Sequence, residues 1–151
     1  MKPTLGQMLM GAASTLNDEI APHIDDGAPV AIGHVGTLGL ILACMAQEAD
    51  RAVETAVREQ DAIRALFADA AKAPLPRDLA IRLKAAAADD ARPSLKLTDL
   101  EAQNAKLKRL LMTLLETLEA EHFDWAVALE ARVWTILKTG AERRALYLPV
   151  L

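Results

Sequence analysis

Four residues of this chain combine reactive or ligand-binding side chains with an apolar setting: His34, Cys44, His122 and Trp125. A histidine can act as a general base, and small-ligand pockets typically combine apolar walls with a few polar groups. We therefore predict that any ligand pocket lies where these four side chains converge between helices. No Ser or Asp lies beside His34 in the sequence, so the sequence alone assigns no catalytic residue.

The alternative interpretation of the same residues is a packed helical core. A lone cysteine such as Cys44 often serves as a small buried side chain, and it excludes an intramolecular disulfide, which fits a reducing cytoplasm. His34 is then a hydrogen-bonded residue of the core or of an interface. Trp125 and Trp134 are nine residues apart, about 180° around a helix, so they cannot both face one core.

A metal site is suggested by Glu119 and His122, which have the Glu-x-x-His spacing of one helix in a ferritin-like di-iron bundle. Such a site requires a second Glu-x-x-His and two further carboxylates. Glu48 is the nearest match, but Arg51 stands three residues after it. We therefore predict no cofactor, and a metal bound by Glu48, Glu119 and His122 is the alternative.

Composition excludes two classes of binding protein. The net charge is −4 and acids and bases are interleaved, which offers no basic surface for nucleic acid. Gly33, Gly36 and Gly39 follow no strand and precede no phosphate-binding lysine, so they indicate a close helix approach rather than a nucleotide site.

The 151 residues suit one domain, and no flexible linker divides them. We predict a single helical domain spanning residues 1–151.

Residues 27–46 carry no formal charge and have the length of a membrane span. The run contains Pro29 and His34, however, and the acidic residues Asp26 and Glu48 on its flanks provide no basic anchor. We therefore predict the central helix of a soluble, cytoplasmic bundle rather than a membrane span.

The apolar residues recur with a 3.6-residue period and without strand alternation, which predicts an all-α bundle of four or five helices. Thr4 is expected to cap the first helix, and the Thr98-x-x-Glu101 capping box to begin the last. Gly140, just after Lys138, is expected to end the last helix. The predicted helices are 4–21, 29–70, 77–88 and 99–139.

Two of these helices are too long for a compact domain. Helices 29–70 and 99–139 would each measure about 60 Å at 1.5 Å per residue, whereas a domain of this length is about 40 Å across. Either the helices break, near 33–39 and near 123–124, or two chains share a core. We predict a homo-oligomer, most simply a dimer.

Residues 5–60 carry three features in order: an amphipathic helix ending in Glu19-Ile20-Ala21-Pro22, an Asp26-Gly27 link, and an apolar helix that closes on Glu48. In these features the chain resembles a family of small, functionally uncharacterised bacterial helical proteins. Genes of that family often lie beside aminoglycoside-phosphotransferase-like and acyl-coenzyme A dehydrogenase genes. The C-terminal part departs from the family pattern, so no site residue is carried over. The resemblance implies an accessory role in bacterial metabolism. A partner enzyme is a candidate partner for a protein with such a role.

Three classes of function follow from these observations. A non-catalytic accessory or protein-interaction bundle ranks first, because the sequence shows surfaces for assembly and no catalytic constellation. A small-molecule-binding bundle with weak enzymatic activity ranks second, and a ferritin-like metal-dependent oxidase ranks third. Whether the protein is an enzyme stays open, with the non-enzyme preferred.

Overall fold

A computed structural model describes residues 2–89, 91 and 94–147, and all regular structure among them is helical. The five α-helices are α1 (Leu5–Ser14), α2 (Pro29–Ala70), α3 (Arg77–Ala88), α4 (Leu97–Glu119) and α5 (Asp124–Arg144). The predicted all-α class is confirmed, as are the predicted helices 29–70 and 77–88.

Contacts divide the chain into two compact units. The first unit comprises Met1–Ala52 together with Ala145–Leu151, and the second comprises Val53–Arg144. Helix α2 contributes residues to both units, which are described one at a time below. The single domain expected from chain length stays a prediction.

The first helix begins as the sequence predicted. The Thr4 hydroxyl accepts a hydrogen bond from the Gln7 amide at 3.2 Å, and the Gln7 side chain accepts one from the Thr4 amide at 2.9 Å. This reciprocal capping box satisfies two of the free N–H groups at the helix start. After Ser14 the geometry changes to a π-helix (Thr15–Ile20) and then to a 3₁₀ turn (Ala21–His23). Pro22 offers no N–H to the final turn, so a regular α-helix does not continue there.

The first unit is packed through small residues. A Cβ on Gly6 would lie 3.3 Å from the Ala46 carbonyl oxygen, and one on Gly39 would lie 2.7 Å from the Asn17 side chain. These two contacts make the first helical segment antiparallel to α2. Within residues 2–46, the buried positions are all glycine or alanine: Gly6, Ala13, Gly39, Ala43 and Ala46.

Only one of the three spaced glycines fits the expected close approach. Gly39 does, whereas a Cβ on Gly33 or Gly36 would meet no atom within 4 Å. The helix does not break near these glycines, because α2 is continuous from Pro29 to Ala70.

The end of the described chain is held against α2 in the first unit. The Gln47 side-chain amide donates to the Tyr147 carbonyl oxygen at 2.7 Å and accepts from the Tyr147 amide at 3.1 Å. The sequence of residues 146–151 is an apolar tail, and Tyr147 lies within it. Residues 148–151 of that tail lie outside the described residues.

The second unit has a conventional apolar core. Four helices contribute large buried side chains, and those of α4 are leucines at helical spacing, which we call the leucine stripe. Among the core residues are Ile63, Leu66, Phe67, Leu79, Leu83, Leu107, Leu111, Leu114, Leu115, Leu118, Leu129 and Val133.

The predicted capping box at Thr98 and Glu101 is wrong. Helix α4 begins at Leu97, its N-cap is Lys96, and no side chain caps it. The turn before the helix is closed instead by Ser94, whose hydroxyl accepts from the Lys96 amide at 3.1 Å.

The helix predicted over 99–139 is two helices, because α4 ends at Glu119 and α5 begins at Asp124. This is the break that the length argument placed near 123–124. The reversal lets both helices bury their apolar sides in one core, which a straight helix cannot do. Charges favour the break: Glu116 and Glu119 oppose the dipole at the end of α4, and Asp124 complements the start of α5.

Leu114→Asp should lower the free energy of unfolding of the second unit by about 3–5 kcal/mol, because an unpaired carboxylate would replace a side chain that is 0% exposed. Urea titration followed by circular dichroism at neutral pH measures this loss. Met112→Asp is the matched control on the same helix, where the side chain is 46% exposed, and it should change the value by less than about 0.5 kcal/mol. Equal losses in the two variants would contradict the burial of the leucine stripe.

Candidate functional site

A carboxylate is buried at the centre of the second unit. Glu59 on α2 exposes 4% of its side chain, and its Oε1 lies 3.0 Å from Lys108 Nζ on α4. Arg144, at the end of α5, contacts the same carboxylate through both terminal nitrogens, with Nη1 3.1 Å from Oε1. Asn104 on α4 donates from Nδ2 to Oε2 at 3.1 Å. One side chain therefore joins three helices.

Gly140 makes this arrangement possible. A Cβ at this position would lie 2.9 Å from Glu59 Oε1 and 3.3 Å from Arg144 Nη1. Arg144 Nη1 also donates to the Gly140 carbonyl oxygen at 3.1 Å. The expectation that Gly140 ends the helix is wrong: α5 continues to Arg144, and the glycine is buried within it because the carboxylate occupies the space of a side chain.

The electrostatics of Glu59 follow from these contacts. Burial by itself raises the pKa of the carboxyl, but the hydrogen bonds from Arg144 and Lys108, together with their positive charges, outweigh burial and hold the pKa below its ordinary value of 4.5. A carboxylate with a lowered pKa and engaged oxygens is a poor general base. This arrangement is suited to holding helices together rather than to proton transfer.

A second layer of buried polar groups lies next to Glu59 along α2. Gln60 Nε2 donates to the Leu100 carbonyl oxygen at 3.0 Å, and Arg64 Nη1 donates to Gln60 Oε1 at 3.2 Å. Three buried side-chain atoms have no hydrogen-bond partner among the described residues: Arg64 Nε, Gln103 Oε1 and Asn104 Oδ1. Such atoms are commonly satisfied by ordered water.

Two cavities are smaller than the usual binding site for a drug-sized molecule, which measures about 300–1,000 Å³. One, of about 100 Å³, lies beside Glu59, between α2 and α5. The other is a groove of about 270 Å³ between α1 and α2 in the first unit, lined by Gly6, Gln7, Met10, Ala46, Gln47 and Asp50. Neither lining includes any of the four side chains predicted to form a pocket.

Those four side chains are divided between the two units. His34 is exposed and Cys44 is a half-buried free thiol, both on the part of α2 that belongs to the first unit. His122 is exposed in the turn before α5, and Trp125 is half-buried against the core of the second unit. A pocket formed by all four stays a prediction.

The two tryptophans face different environments, as their spacing predicted. Trp125 packs against the core, whereas Trp134 is 51% exposed and donates from Nε1 to Glu130 at 3.2 Å.

The metal alternative gains no support. Glu119 is the last residue of α4 and His122 lies outside any helix, so the Glu-x-x-His spacing does not bring the two side chains together on one helical face. Glu48 forms an ion pair with Arg51 at 3.2 Å. In the described part of the chain, no group of three or more His, Cys, Asp or Glu side chains is placed to hold a metal ion.

The first unit carries an uncovered apolar surface. Helix α2 contains a segment long and apolar enough to cross a membrane, with a mean hydropathy of 1.8, yet only 17% of that segment is buried. The prediction that this run is the central helix of a soluble bundle stays a prediction. Five exposed residues of α2 form what we call the α2 outer face: Val30, His34, Leu38, Ile41 and Met45.

The sequence contained a signal for Glu59 that periodicity alone did not reveal. Glu59 lies three residues after Ala56 and four before Ile63, both buried members of the apolar stripe of α2. A charged residue at a stripe position must find a partner. The partners themselves, Lys108 and Arg144, are 49 and 85 residues away, and no local pattern connects them.

No family model matches the chain, and neither a curated protein nor a solved structure matches it. The resemblance of residues 5–60 to a bacterial helical family stays a prediction. Any function must therefore be argued from the surfaces and contacts described above.

Glu59→Gln should lower the free energy of unfolding by about 1–2 kcal/mol at pH 7, because Lys108 and Arg144 lose their counter-charge while remaining partly hydrated. A depressed carboxyl pKa gives stability that is complete above pH 4.5 and is lost as the pH falls through the folded-state value. The difference between wild type and variant should therefore shrink below about pH 4.5. Urea titrations from pH 3 to pH 7 measure it.

Glu54→Gln is the matched control, since Glu54 forms an exposed i,i+4 pair with Arg58 on the same helix. That variant should change stability by less than about 0.5 kcal/mol. Equal losses of unfolding free energy at both positions would contradict the buried contacts of Glu59 with Lys108 and Arg144. A loss for Glu59→Gln that does not vary with pH would contradict them as well.

Gly140→Ala should destabilise the protein by about 1 kcal/mol, although alanine in a helix normally gains up to about 1 kcal/mol over glycine. The reason is that the new Cβ would displace the Glu59 carboxylate from its partners. In a Glu59→Ala background the closest contact of the new Cβ, the Glu59 carboxylate, is absent. Gly140→Ala should therefore become stabilising. A double-mutant cycle of unfolding free energies measures this change of sign, and the same effect in both backgrounds would rule out the contact.

Proposed function

We propose that the protein is a non-catalytic accessory protein of the bacterial cytoplasm, which acts by binding other polypeptides and works beside a larger metabolic enzyme. One observation carries this proposal: the described residues that the first unit buries are glycines and alanines, while several of its large apolar side chains are exposed. The second unit, with its apolar core and the buried contacts of Glu59, is the stable part of the chain.

The pattern of the first helix supports this division. Its apolar stripe includes Leu5, Met8 and Ile20, which a helix of a self-sufficient domain would bury. In this chain they are 59%, 52% and 43% exposed. The buried residues of α1 are Gly6 and Ala13 instead. A stripe left open on the folded chain is the expected signature of a surface that is buried only in an assembly.

The second unit supports a structural rather than a catalytic role. Its most strongly perturbed buried carboxylate has both oxygens engaged by cations and an amide. Interaction surfaces are thus better developed in this chain than any reactive centre.

The proposal is tested by purifying a tagged copy at native expression level from the source organism and identifying the co-eluting polypeptides by mass spectrometry. A defined metabolic enzyme should co-elute in constant ratio with wild type. Met10→Glu, which charges an exposed apolar residue of α1 outside the α2 outer face, should remove that enzyme, because burying an unpaired charge opposes docking.

Met112→Glu is the matched control, since Met112 is an apolar helix residue of similar exposure in the second unit, and this variant should retain the enzyme. Recovery of the chain only from the membrane fraction would overturn the cytoplasmic assignment. Turnover of a substrate by the purified chain alone would overturn the non-catalytic role.

A further inference from the structure

We propose that a second copy of this chain covers the α2 outer face, so that the same face of each copy packs on the other across a two-fold axis near Leu38 and Ile41. This inference rests on the proposed interaction role and names a second copy as the partner of the α2 outer face.

The α2 outer face has the spacing that helix pairing requires. Its residues follow one another at intervals of four, four, three and four, which keeps them on one side of the helix. The exposed fraction is 69% for Val30, 50% for Leu38, 48% for Ile41 and 52% for Met45. A second helix laid along this row would bury all four side chains.

The available surface is large enough for a stable dimer. Leu5, Met8 and Ile20 on the first helical segment are also exposed, and with the four apolar side chains of the α2 outer face they range from 43% to 69% exposed. An interface that covered all seven would bury on the order of 600 Å² per copy, or about 1,200 Å² for two copies, above the roughly 1,000 Å² of a specific interface.

The charge distribution makes this face compatible with itself. In a two-fold interface the same surface patch faces itself, so a face with a net charge would repel its copy. No Asp, Glu, Lys or Arg occurs from Gly27 to Gln47. The acidic residues of the unit lie outside this run, at Asp18, Glu19, Asp25, Asp26, Glu48 and Asp50.

A lipid bilayer fits the unit less well than a second copy does. The uncharged stretch of the first helical segment, residues 3–17, measures about 22 Å as a helix, short of the roughly 30 Å hydrocarbon core. His34 stands in the middle of the α2 outer face, where lipid would leave its ring nitrogens without partners. A facing protein surface can supply those partners.

The test uses the full-length protein and one matched pair of variants. Light scattering on wild type at tens of micromolar should give twice the chain mass of 16.3 kDa. Ile41→Glu should weaken self-association by about a hundredfold or more, because two buried carboxylates would face each other. Ile81→Glu is the control, since Ile81 is 57% exposed on α3 in the second unit, and it should leave the mass unchanged. Circular dichroism verifies that both variants remain helical.

Cysteine trapping identifies the face directly. In a Cys44→Ser background, oxidised Ile41→Cys should give a disulfide-linked dimer on a non-reducing gel, and Ile81→Cys should not.

Three outcomes would overturn the inference: a monomer at tens of micromolar, a dimer unaffected by Ile41→Glu, or wild-type protein that floats with phosphatidylcholine vesicles while Ile41→Glu does not. A monomer that still co-elutes with a metabolic enzyme would remove the second copy and leave the proposed function standing.

Discussion

The burial of one carboxylate is the constraint on which the second unit depends. Glu59 is almost fully removed from water, and an isolated buried charge would be strongly destabilising. Its neighbours are therefore specified by its chemistry: two cations and an amide for its oxygens, and a glycine where any side chain would collide. Because these neighbours come from α4 and α5, satisfying the charge also fixes how those helices meet α2. Leucine packing tolerates small shifts of a helix, whereas a carboxylate that accepts several hydrogen bonds and ion pairs does not.

The two units follow opposite packing rules. In the second, large apolar side chains form a buried core. In the first, the buried described residues are glycine and alanine, and large side chains such as Val30, Leu38, Ile41 and Met45 are exposed. Small residues allow two helical segments to approach closely, but they remove little apolar area from water. Packing within the first unit therefore contributes little hydrophobic stabilisation. This is the physical reason for proposing a binding role for that unit.

The sequence predicted much of the secondary structure and little of the site. The bounds of α2 and α3, the Thr4 cap and the leucine stripe of α4 all follow from local spacing. The Thr98 box failed because a capping motif competes with other turns, and here the turn at Ser94 starts the helix earlier. The continuous helix over 99–139 failed because the apolar period resumes after the turn, so periodicity alone did not mark the reversal. Gly140 was misassigned because a glycine that ends a helix and one that admits a neighbouring side chain look alike in sequence.

By itself the sequence determined what depends on residues a few positions apart: the all-α class, the amphipathic faces and the uncharged run of α2. Helical periodicity and capping act over one or two turns, so these features can be found without tertiary contacts. Only the tertiary structure decided which faces are covered. It showed that α1 buries Gly6 and Ala13 and leaves Leu5 and Met8 exposed, and that Glu59 pairs with residues up to 85 positions away. Which faces are covered depends on which distant segments pack together. Local spacing in the sequence carries no information about contacts between residues that are far apart along the chain.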